Sequence, residues 1–341
     1  MNFVNQQSAV MLDENCEIIV VGSANIDLVT YVRQLPRSGE TIMGNAFVKK
    51  YGGKGANQAV IISRFTRNVT LCASVGNDDY GNDYIRQLLT EGCGVQNIVS
   101  TSEASTGVAC ITVSEDGSNT IVINPGANFY LTPAHVRETV DRSPQTKVLV
   151  CQNEVSHDTT KAALHAASES GAVSIFNPAP MTDREKVMEL CQLADVVCPN
   201  ETELYELIGE SMPVDTEEEI VKAAEYLLSM GISTVVVTMG SRGACIVKKN
   251  EVKLVPAVKV ANCVDTVGAG DCFIGTMSYH LSQGTDLSGA VQKAVECAAL
   301  SVTRQGAQES YPSRDELRER NLINSTSSVC TKEEIRAILM S

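Results

Sequence analysis

A glycine-rich stretch near the C-terminal end of the chain combines residue types that could carry out phosphoryl chemistry. It runs from Asp265 to Asp271 with the sequence DTVGAGD, and apolar residues at helical spacing follow it. Gly268 and Gly270 let the backbone approach a ligand closely, and a helix start offers unpaired N–H groups to phosphate. A carboxylate there, Asp271, could also activate a hydroxyl group. The alternative is an ordinary strand-to-helix turn that Asp271 caps.

A second glycine-rich stretch precedes another predicted helix. Residues 52–59 have the sequence GGKGANQA, and the apolar residues 60–62 follow directly. Lys54 and Asn57 are three positions apart, so both side chains can lie on one side of the first helical turn. Taken alone, this stretch is also compatible with a simple glycine-rich helix start.

Polar residues also follow predicted strands elsewhere. The strand over 17–21 leads to Asn25 and Asp27, and the strand over 148–151 leads to Glu154. Because ligands of open α/β sheets gather at the carboxyl ends of strands, these side chains are candidates for substrate contacts. The alternative is turn chemistry, in which Asn and Asp are common.

Composition excludes several classes of partner and site. The 341 residues carry 41 acidic and 27 basic side chains, a net charge of -14, which disfavours nucleic acid and anionic membranes as partners. The sequence contains no apolar run of membrane-spanning length and no signal peptide. Twelve cysteines without a CxxC pair predict free, buried thiols in a reducing cytoplasm, and the four histidines form no metal motif.

Strands alternate with helices along most of the chain, which predicts an α/β fold with a parallel sheet. A hairpin over 107–124 departs from this pattern, and with β-like pieces near 40–51 it could form a small separate sheet. We predict an N-terminal tail over 1–15, one domain over 16–320 and a weakly docked C-terminal tail over 321–341.

The chain resembles the ribokinase family, also called PfkB-type carbohydrate kinases. GGKGANQ at 52–58 and DTVGAGD at 265–271 match its two signatures. Asn200 to Glu203 is similar to its NxxE motif, and Thr238 to Gly243 looks like its nucleotide turn. The resemblance spans about residues 16–320, and Lys54 is typical of the ribokinase branch rather than of fructokinase-like relatives.

The resemblance implies a ribokinase-like α/β fold, in which a central, mostly parallel sheet has helices on both faces. A small β-sheet lid, here about 28–51 and 104–124, would cover the sugar. The implied reaction transfers the ATP γ-phosphoryl group to O5 of D-ribose, giving ribose 5-phosphate and ADP. Asp271 would be the general base, and the amides of Gly268, Ala269 and Gly270 would stabilise the transferred group.

The resemblance assigns further residues to the two substrates. The implied sugar-binding residues are Asn25, Asp27, Gly53, Lys54, Asn57, Ala109, Ile111, Glu154 and Asp271. The implied nucleotide-binding residues are Asn200, Thr238, Gly240, Ser241, Gly243 and Gly270.

Two metal ions are implied in the same way. Glu203 would hold Mg²⁺ through water, since Mg²⁺ gives up its hydration shell reluctantly. The alternative is a capped helix start. K⁺ would act as an activator at a monovalent-cation site formed by Asp265, Val267, Ser301, Arg304, Gly306 and Ser310. The alternative is that Asp265 only caps its turn.

The resemblance also implies a homodimer joined through the lid. Three other functions remain open at this point. The first is another sugar or nucleoside kinase of the same fold, of the fructokinase, deoxyribokinase or adenosine kinase type. The second is a non-catalytic sugar- or nucleotide-binding protein. The third, a Rossmann dehydrogenase, is disfavoured because no GxGxxG follows the first strand.

Overall fold

The first buried strand shows why the central sheet is covered on both faces. All four side chains of Ile18–Val21 are buried. Ile18 and Val20 belong to one apolar cluster, whereas Ile19 and Val21 belong to another. Alternate side chains of a strand point to opposite faces, so a strand that is apolar at every position needs cover on both. The computed structural model describes residues 15–323 and 330–340.

The strands form two sheets. In the described residues they are β1 Ile18–Val21, β2 Asn25–Val32, β3 Ala46–Gly52, β4 Val69–Gly76, β5 Ile98–Thr101, β6 Gly107–Ser114, β7 Asn119–Asn124, β8 Val148–Gln152, β9 Val173–Asn177, β10 Val196–Val197, β11 Thr234–Thr238, β12 Ala244–Lys248 and β13 Glu251–Val255. The larger sheet has the order β13-β12-β11-β10-β9-β8-β1-β4-β5. Its strands pair in parallel except at one edge, where β12 pairs antiparallel with β11 and β13 pairs antiparallel with β12.

Helices cover both faces of the larger sheet. They are α1 Lys54–Phe65, α2 Asp79–Glu91, α3 Pro133–Asp141, α4 His157–Ser170, α5 Arg184–Leu193, α6 Glu201–Leu207, α7 Glu217–Ser229, α8 Ala269–Ser282, α9 Leu287–Ser301, α10 Arg314–Glu319 and α11 Lys332–Met340. On one face α8 packs between α1 and α9, and on the other α3 to α7 pack in sequence. The seam between α1 and α8 brings the two glycine-rich stretches together.

The smaller sheet has the order β3-β2-β6-β7 and matches the predicted lid. It begins at Asn25 and ends at Gly52 on its first two strands, slightly beyond the predicted limits. Strand β2 pairs with β6 in parallel and with β3 antiparallel, which places Asp27 opposite both Lys50 and Ala109. Asp27 therefore shares a face of this sheet with Ala109.

Three predictions need correction or lie outside the described residues. The prediction of a weakly docked C-terminal tail is wrong for the described residues 330–340, because α11 buries Ile335 and Leu339 in the first apolar cluster. Arg336 of this helix also binds Asp195 at 2.6 Å. The cysteines are free thiols, but Cys110 and Cys263 are exposed and Cys330 is partly exposed. Cys110 points away from the face that carries Ala109. Residues 1–14 of the predicted N-terminal tail lie outside the described residues.

Within residues 15–323 and 330–340, none of the helices combines the length and apolar character needed to cross a bilayer.

Candidate active site

The C-terminal glycine turn opens directly into α8. Gly268 precedes the helix with φ 76°, a left-handed conformation that favours glycine. A Cβ atom at this position would lie 2.8 Å from Cα of Ala307, so there is no space for a side chain in the turn. In this part of the described chain no side chain caps the helix start. The interpretation of Asp271 as a helix cap is therefore wrong, and the first amides of α8 face the site.

Asp271 is held from α1. Its side chain is only 7% exposed. Asn57 donates a side-chain N–H to its Oδ2 at 3.0 Å, and Gln58 donates one to its Oδ1 at 2.9 Å. The carboxylate thus has a fixed orientation at the first turn of α8, with capacity left to accept a further proton or hydrogen bond.

A cavity of about 210 Å³ lies in front of this carboxylate. It is lined by Lys54, Asn177, Cys198, Asn200, Glu203, Thr238, Thr266, Gly268, Gly270, Asp271 and Ile274. The cavity therefore joins the start of α8, the start of α1 and the ends of β9, β10 and β11. The carboxyl ends of these parallel strands meet here, as expected for the ligand site of an open α/β sheet.

Lys54 supplies the positive charge of the cavity. Burial acts to lower the pKa of Lys54, but the carboxylates of Asp271, Glu154 and Glu203 outweigh burial and raise the pKa above its ordinary value. The lysine is therefore charged at neutral pH. A partly buried ammonium group beside the N-terminus of a helix favours the binding of an anion such as phosphate.

The predicted sugar residues form a second group next to the cavity. Glu154 accepts hydrogen bonds on Oε2 from the hydroxyl of Ser23 and from the backbone N–H of Lys54, the latter at 2.9 Å. Gly53 has φ 86° and brings its backbone against residues 23–25, which leaves no space for a Cβ atom. The start of α1 is thus joined to the ends of β1 and β8.

Asn25 and Asp27 extend this group into the smaller sheet. Asn128 donates a side-chain N–H to Oδ1 of Asn25 at 2.7 Å, which fixes the Asn25 amide. Burial, followed by the charges of Glu154 and Glu309, raises the pKa of Asp27 to about 7. Asp27 is therefore a carboxyl group whose protonation changes near neutral pH.

Ala109 and Ile111 lie two positions apart on β6, so both side chains share the face of the sheet that carries Asp27. Ala109 is buried, and Ile111 is partly exposed. The structure therefore brings the predicted apolar cover and the polar sugar residues to the same face of the lid.

Asn200 and Glu203 form a capping box at the start of α6. The backbone N–H of Glu203 donates to the side-chain oxygen of Asn200 at 2.8 Å. The backbone N–H of Asn200 donates to the Glu203 carboxylate at 2.9 Å. The capping alternative is thus observed, with Asn200 as the cap. Burial raises the pKa of Glu203, while the Asn200 backbone N–H and Lys54 act in the opposite direction.

The Glu203 carboxylate still lines the cavity, where a hydrated Mg²⁺ would offset the cost of burying its charge. The donor set of this site, carboxylate and amide oxygens, therefore fits the predicted ion. Within the described residues, no three His, Cys, Asp or Glu side chains form a direct metal cluster.

The predicted nucleotide turn lies beside this capping box. Thr238 donates its backbone N–H to the carbonyl of Pro199 at 3.0 Å, which places it next to Asn200. Gly240 and Ser241 follow in a short 3-10 turn and are exposed. Gly243 has φ 99°, and a Cβ atom there would overlap the carbonyl of Val255. Of these turn residues, only Thr238 lines the cavity itself.

The two segments of the predicted cation site are adjacent. Asp265 accepts the backbone N–H of Val267 at 3.0 Å and that of Gly306 at 2.9 Å. Asp265 therefore caps its turn, as the alternative interpretation states, and in doing so it joins this turn to the segment after α9.

The other predicted cation residues use their side chains elsewhere. Arg304 forms an ion pair with Glu316. The Ser301 hydroxyl donates to the carbonyl of Ala298, and the Ser310 hydroxyl donates to that of Ala307. A cation in this region would consequently depend on backbone carbonyl oxygens together with Asp265.

Several further residues hold the site and are not among the residues predicted from the sequence. These residues are Ser23, Gln58, Tyr84, Asn128, Gln152, Asn177 and Gln308. Gln58 lies inside the GGKGANQ motif and could have been noticed there. Ser23, Gln152 and Asn177 lie at strand ends, where the pattern of polar residues after strands could also have marked them. Tyr84, Asn128 and Gln308 lie far along the chain from the groups they contact, and no local pattern marks them.

Comparisons with known proteins agree with this geometry. Residues 16–314 match the family described as pfkB family carbohydrate kinase. A deoxyribokinase from Salmonella typhi is 39% identical over 303 residues, which cover 89% of this chain and 98% of that protein. A ribokinase from Mus musculus is 37% identical over 310 residues, which cover 89% of this chain and 94% of that protein. The chain belongs to the PfkB family of carbohydrate kinases.

A solved structure supports the fold assignment. The structure of Arabidopsis thaliana ribokinase complexed with ribose and ATP superposes with a TM-score of 0.80 at 28% identity, covering 91% of this chain and 99% of that chain. The predicted ribokinase-like fold, with its larger and smaller sheets, is thereby confirmed. The Rossmann dehydrogenase is excluded.

Proposed function

We propose that this carbohydrate kinase transfers the γ-phosphoryl group of ATP to O5 of D-ribose, giving D-ribose 5-phosphate and ADP. The observation that carries the proposal is the Asp271 carboxylate, fixed at the uncapped start of α8 and facing a cavity that contains Lys54. A base, an anion-binding helix start and a cation in one cavity are what phosphoryl transfer to a hydroxyl group requires.

The roles of the residues follow from this arrangement. Asp271 would take the proton of the sugar hydroxyl while that oxygen forms its bond to the γ-phosphorus. The bond between the γ-phosphorus and the bridging oxygen breaks, and ADP leaves. The amides of Gly268, Ala269 and Gly270, together with Lys54, would stabilise the charge on the transferred group.

The sugar and nucleotide would occupy the two sides of this centre. Sugar recognition would use Asn25, Asp27, Asn57 and Glu154, with Ala109 and Ile111 covering the apolar face. These groups lie on the lid side of Asp271. The adenosine portion would lie on the side of Asn200 and the turn after β11.

Mg²⁺ would enter with the nucleotide and lie near Glu203, where it would neutralise phosphate charge. The absence of a direct ligand cluster among the described residues is compatible with an ion held through water. We expect Glu203→Gln to weaken calorimetric binding of MgADP while leaving ribose binding unchanged. Equal MgADP affinity in the variant would remove Glu203 from this role.

K⁺ is the second proposed ion, at the contact between 265–267 and 301–310. It would fix the backbone that leads into the glycine turn, which favours preorganised amides. Turnover should rise when KCl is titrated into K⁺-free Tris buffer, and less so with NaCl or LiCl at matched ionic strength. Equal rates in all three salts would remove the cation site and leave the kinase assignment in place.

Phosphorylation of 2-deoxyribose is the second candidate reaction. It is favoured by the 39% identity to the Salmonella typhi deoxyribokinase, against 37% to the mouse ribokinase. The two sugars differ only by the 2-hydroxyl group, so the choice depends on a single hydrogen-bonding position. Sites that are built around a hydroxyl group discriminate strongly against an analogue that lacks it.

A coupled assay for ADP release tests the proposal. Ribose, 2-deoxyribose, fructose and adenosine are compared at equal concentrations with MgATP and KCl. Asp271→Asn, purified in the same way, is the control for contaminating kinases. We expect the largest kcat/KM with ribose. A larger value with another acceptor would reassign the substrate, and calorimetric ribose binding without ADP release would indicate a non-catalytic binding protein.

We also propose that the enzyme is a cytoplasmic homodimer joined through the lid. Val122 is 69% exposed and Phe47 63%, and the strand register places both on the face of the smaller sheet opposite Asp27, so this face carries exposed apolar surface. Covering such a surface, together with the free sheet edges, would stabilise a dimer.

Light scattering tests the dimer. Val122→Lys should convert a dimer into a monomer, whereas Leu89→Lys, at a 56% exposed position on α2, should not. A monomeric wild-type protein at micromolar concentration would contradict the proposal.

A further inference from the structure

The Asp271 carboxylate lies at the end of two chains of side-chain amides. On one side Gln152 donates a side-chain N–H to the Gln58 carbonyl oxygen at 2.7 Å, and Gln58 donates to Asp271. On the other side Gln308 donates to the Asn57 carbonyl oxygen at 2.9 Å, and Asn57 donates to Asp271. Each carboxylate oxygen therefore has its own supporting chain.

The chemistry of Asp271 fixes the direction of both chains. An ionised carboxylate can only accept hydrogen bonds, so Asn57 and Gln58 must turn their NH₂ groups toward it. Their carbonyl oxygens then point away and need donors, which Gln152 and Gln308 supply. An amide rotated by half a turn would place oxygen against oxygen. Each glutamine thus has one orientation that is compatible with its neighbours.

These chains are buried and anchored in different elements. Gln58 and Gln152 are 0% exposed, and Gln308 is 3% exposed. Gln152 ends β8, and Gln308 starts the short 3-10 helix Gln308–Ser310. Gln308 also donates to the hydroxyl of Tyr84 at 3.0 Å. Apolar side chains alone could pack α1 against α8. Several amides are nevertheless buried around one carboxylate, although burying polar groups costs desolvation free energy.

We propose that Gln58, Gln152 and Gln308 are positioning residues that hold the Asp271 carboxylate in the orientation needed to accept the substrate proton. This inference rests on the proposed role of Asp271 as the base. None of the three glutamines needs to touch a substrate. The effect of all three would be on the chemical step, because a misplaced base lowers the rate without removing any group that binds sugar or nucleotide. Gln308, which bonds Asn57, would in addition act on sugar binding.

The first test is Gln58→Met, which keeps side-chain length and removes the amide. We expect kcat to fall by about 10- to 100-fold, the effect of losing one hydrogen bond to a charged group, with sugar and ATP KM values changed by less than about threefold. Ile220→Val, in the buried cluster that α7 covers, is the matched control for a small loss of packing and should leave kcat unchanged.

The second test separates positioning from general stability. Gln58→Met leaves the buried Gln152 amide without its acceptor, whereas Gln58→Met combined with Gln152→Met removes both polar partners. Replacing both partners with apolar groups can be almost neutral for stability. We expect the double variant to recover the part of the melting temperature that the unpaired Gln152 amide costs, but not its kcat. Recovery of kcat together with stability would overturn the proposal.

The third test asks whether Gln58 acts through Asp271. In an Asp271→Asn background, Gln58→Met should lower the residual kcat by less than about twofold, because the group that it orients is already gone. An equal loss in both backgrounds would show an independent structural role. Gln308→Met should lower kcat and also raise the sugar KM, since Asn57 belongs to the sugar group.

The outcomes also separate this inference from the proposed function. If Asp271→Asn keeps nearly full turnover, the role of the base fails. If Asp271→Asn loses turnover but Gln58→Met keeps its kcat, only the positioning role fails.

Discussion

The seam between α1 and α8 and the smaller sheet hold their functional groups in different ways. At the seam, Asp271 has both oxygens bonded inside the larger domain, and its supporting glutamines are almost fully buried. On the smaller sheet, Asp27 lies on strand β2, and the outer strand β7 of the same sheet is exposed, with Val122 at 69%. One region fixes its group with two hydrogen bonds from buried amides, and the other presents its group from a single layer.

This difference indicates that the α1–α8 seam and the smaller sheet have different roles in the site. A base that must meet its proton at one distance benefits from a rigid, preorganised setting. A sugar-binding sheet must admit the substrate, so full burial in the free enzyme would block entry. Changes at the seam should therefore lower kcat, and changes on the smaller sheet should mainly raise the sugar KM.

Removing the base gives the largest expected effect. Asp271→Asn keeps the shape of the side chain but cannot take a proton, so kcat should fall by about 10²–10⁴-fold. Calorimetric ribose binding and the melting temperature should stay close to the wild type. A kcat within about tenfold of the wild type would contradict the assignment of the base.

Distorting the glycine turn should have the next largest effect. Gly268→Ala imposes a left-handed conformation on alanine and forces its Cβ against Ala307, at a cost of about 1–3 kcal/mol in stability. We expect kcat to fall by about 10- to 100-fold as the amides move. Assays at saturating ribose and MgATP measure this change.

Gly171→Ala is the control for backbone strain alone. Gly171 has φ 77° at the end of α4, and nothing lies within 4 Å of a Cβ atom there. The variant should lose stability but not kcat. If both variants lower kcat equally, the turn has no special part in catalysis.

Titration of Asp27 should have the smallest effect, and it should appear in sugar binding. Its pKa is raised by burial from 3.8 to about 7, so the folded protein retains a proton that the unfolded chain releases. The contribution of Asp27 to stability consequently falls as the pH rises across this interval.

Ionised Asp27 can accept two sugar hydroxyl groups, so ribose affinity should rise by about tenfold between about pH 6 and about pH 8. Calorimetry without nucleotide measures this change and avoids the titration of ATP. In Asp27→Asn the affinity should be lower and nearly independent of pH. A wild-type affinity that is flat over this range would remove Asp27 from sugar recognition.

Local patterns were sufficient to predict much of the fold. The apolar run at 18–21, the hairpin at 107–124 and the alternation after residue 147 all appear as strands and helices near their predicted limits. Each depends on residues that are close in sequence, which is why periodicity and turn chemistry could find them.

Long-range contacts could not be predicted in this way. Asn128 supports Asn25 across 103 residues, and Gln308 reaches Asn57 across 251. The pairing of β2 with β6 and the burial of α11 likewise depend on the assembled fold. A glutamine has no local signature that distinguishes a buried support from a surface residue.

The position of the transferred phosphate tests the central claim most directly. The purified protein is incubated with ribose, MgATP and KCl, and the product is examined by ³¹P and ¹³C NMR. We expect one phosphate on O5 of ribose for each ADP released, with no product from Asp271→Asn. Phosphate on another hydroxyl group, or equal product from the variant, would contradict it.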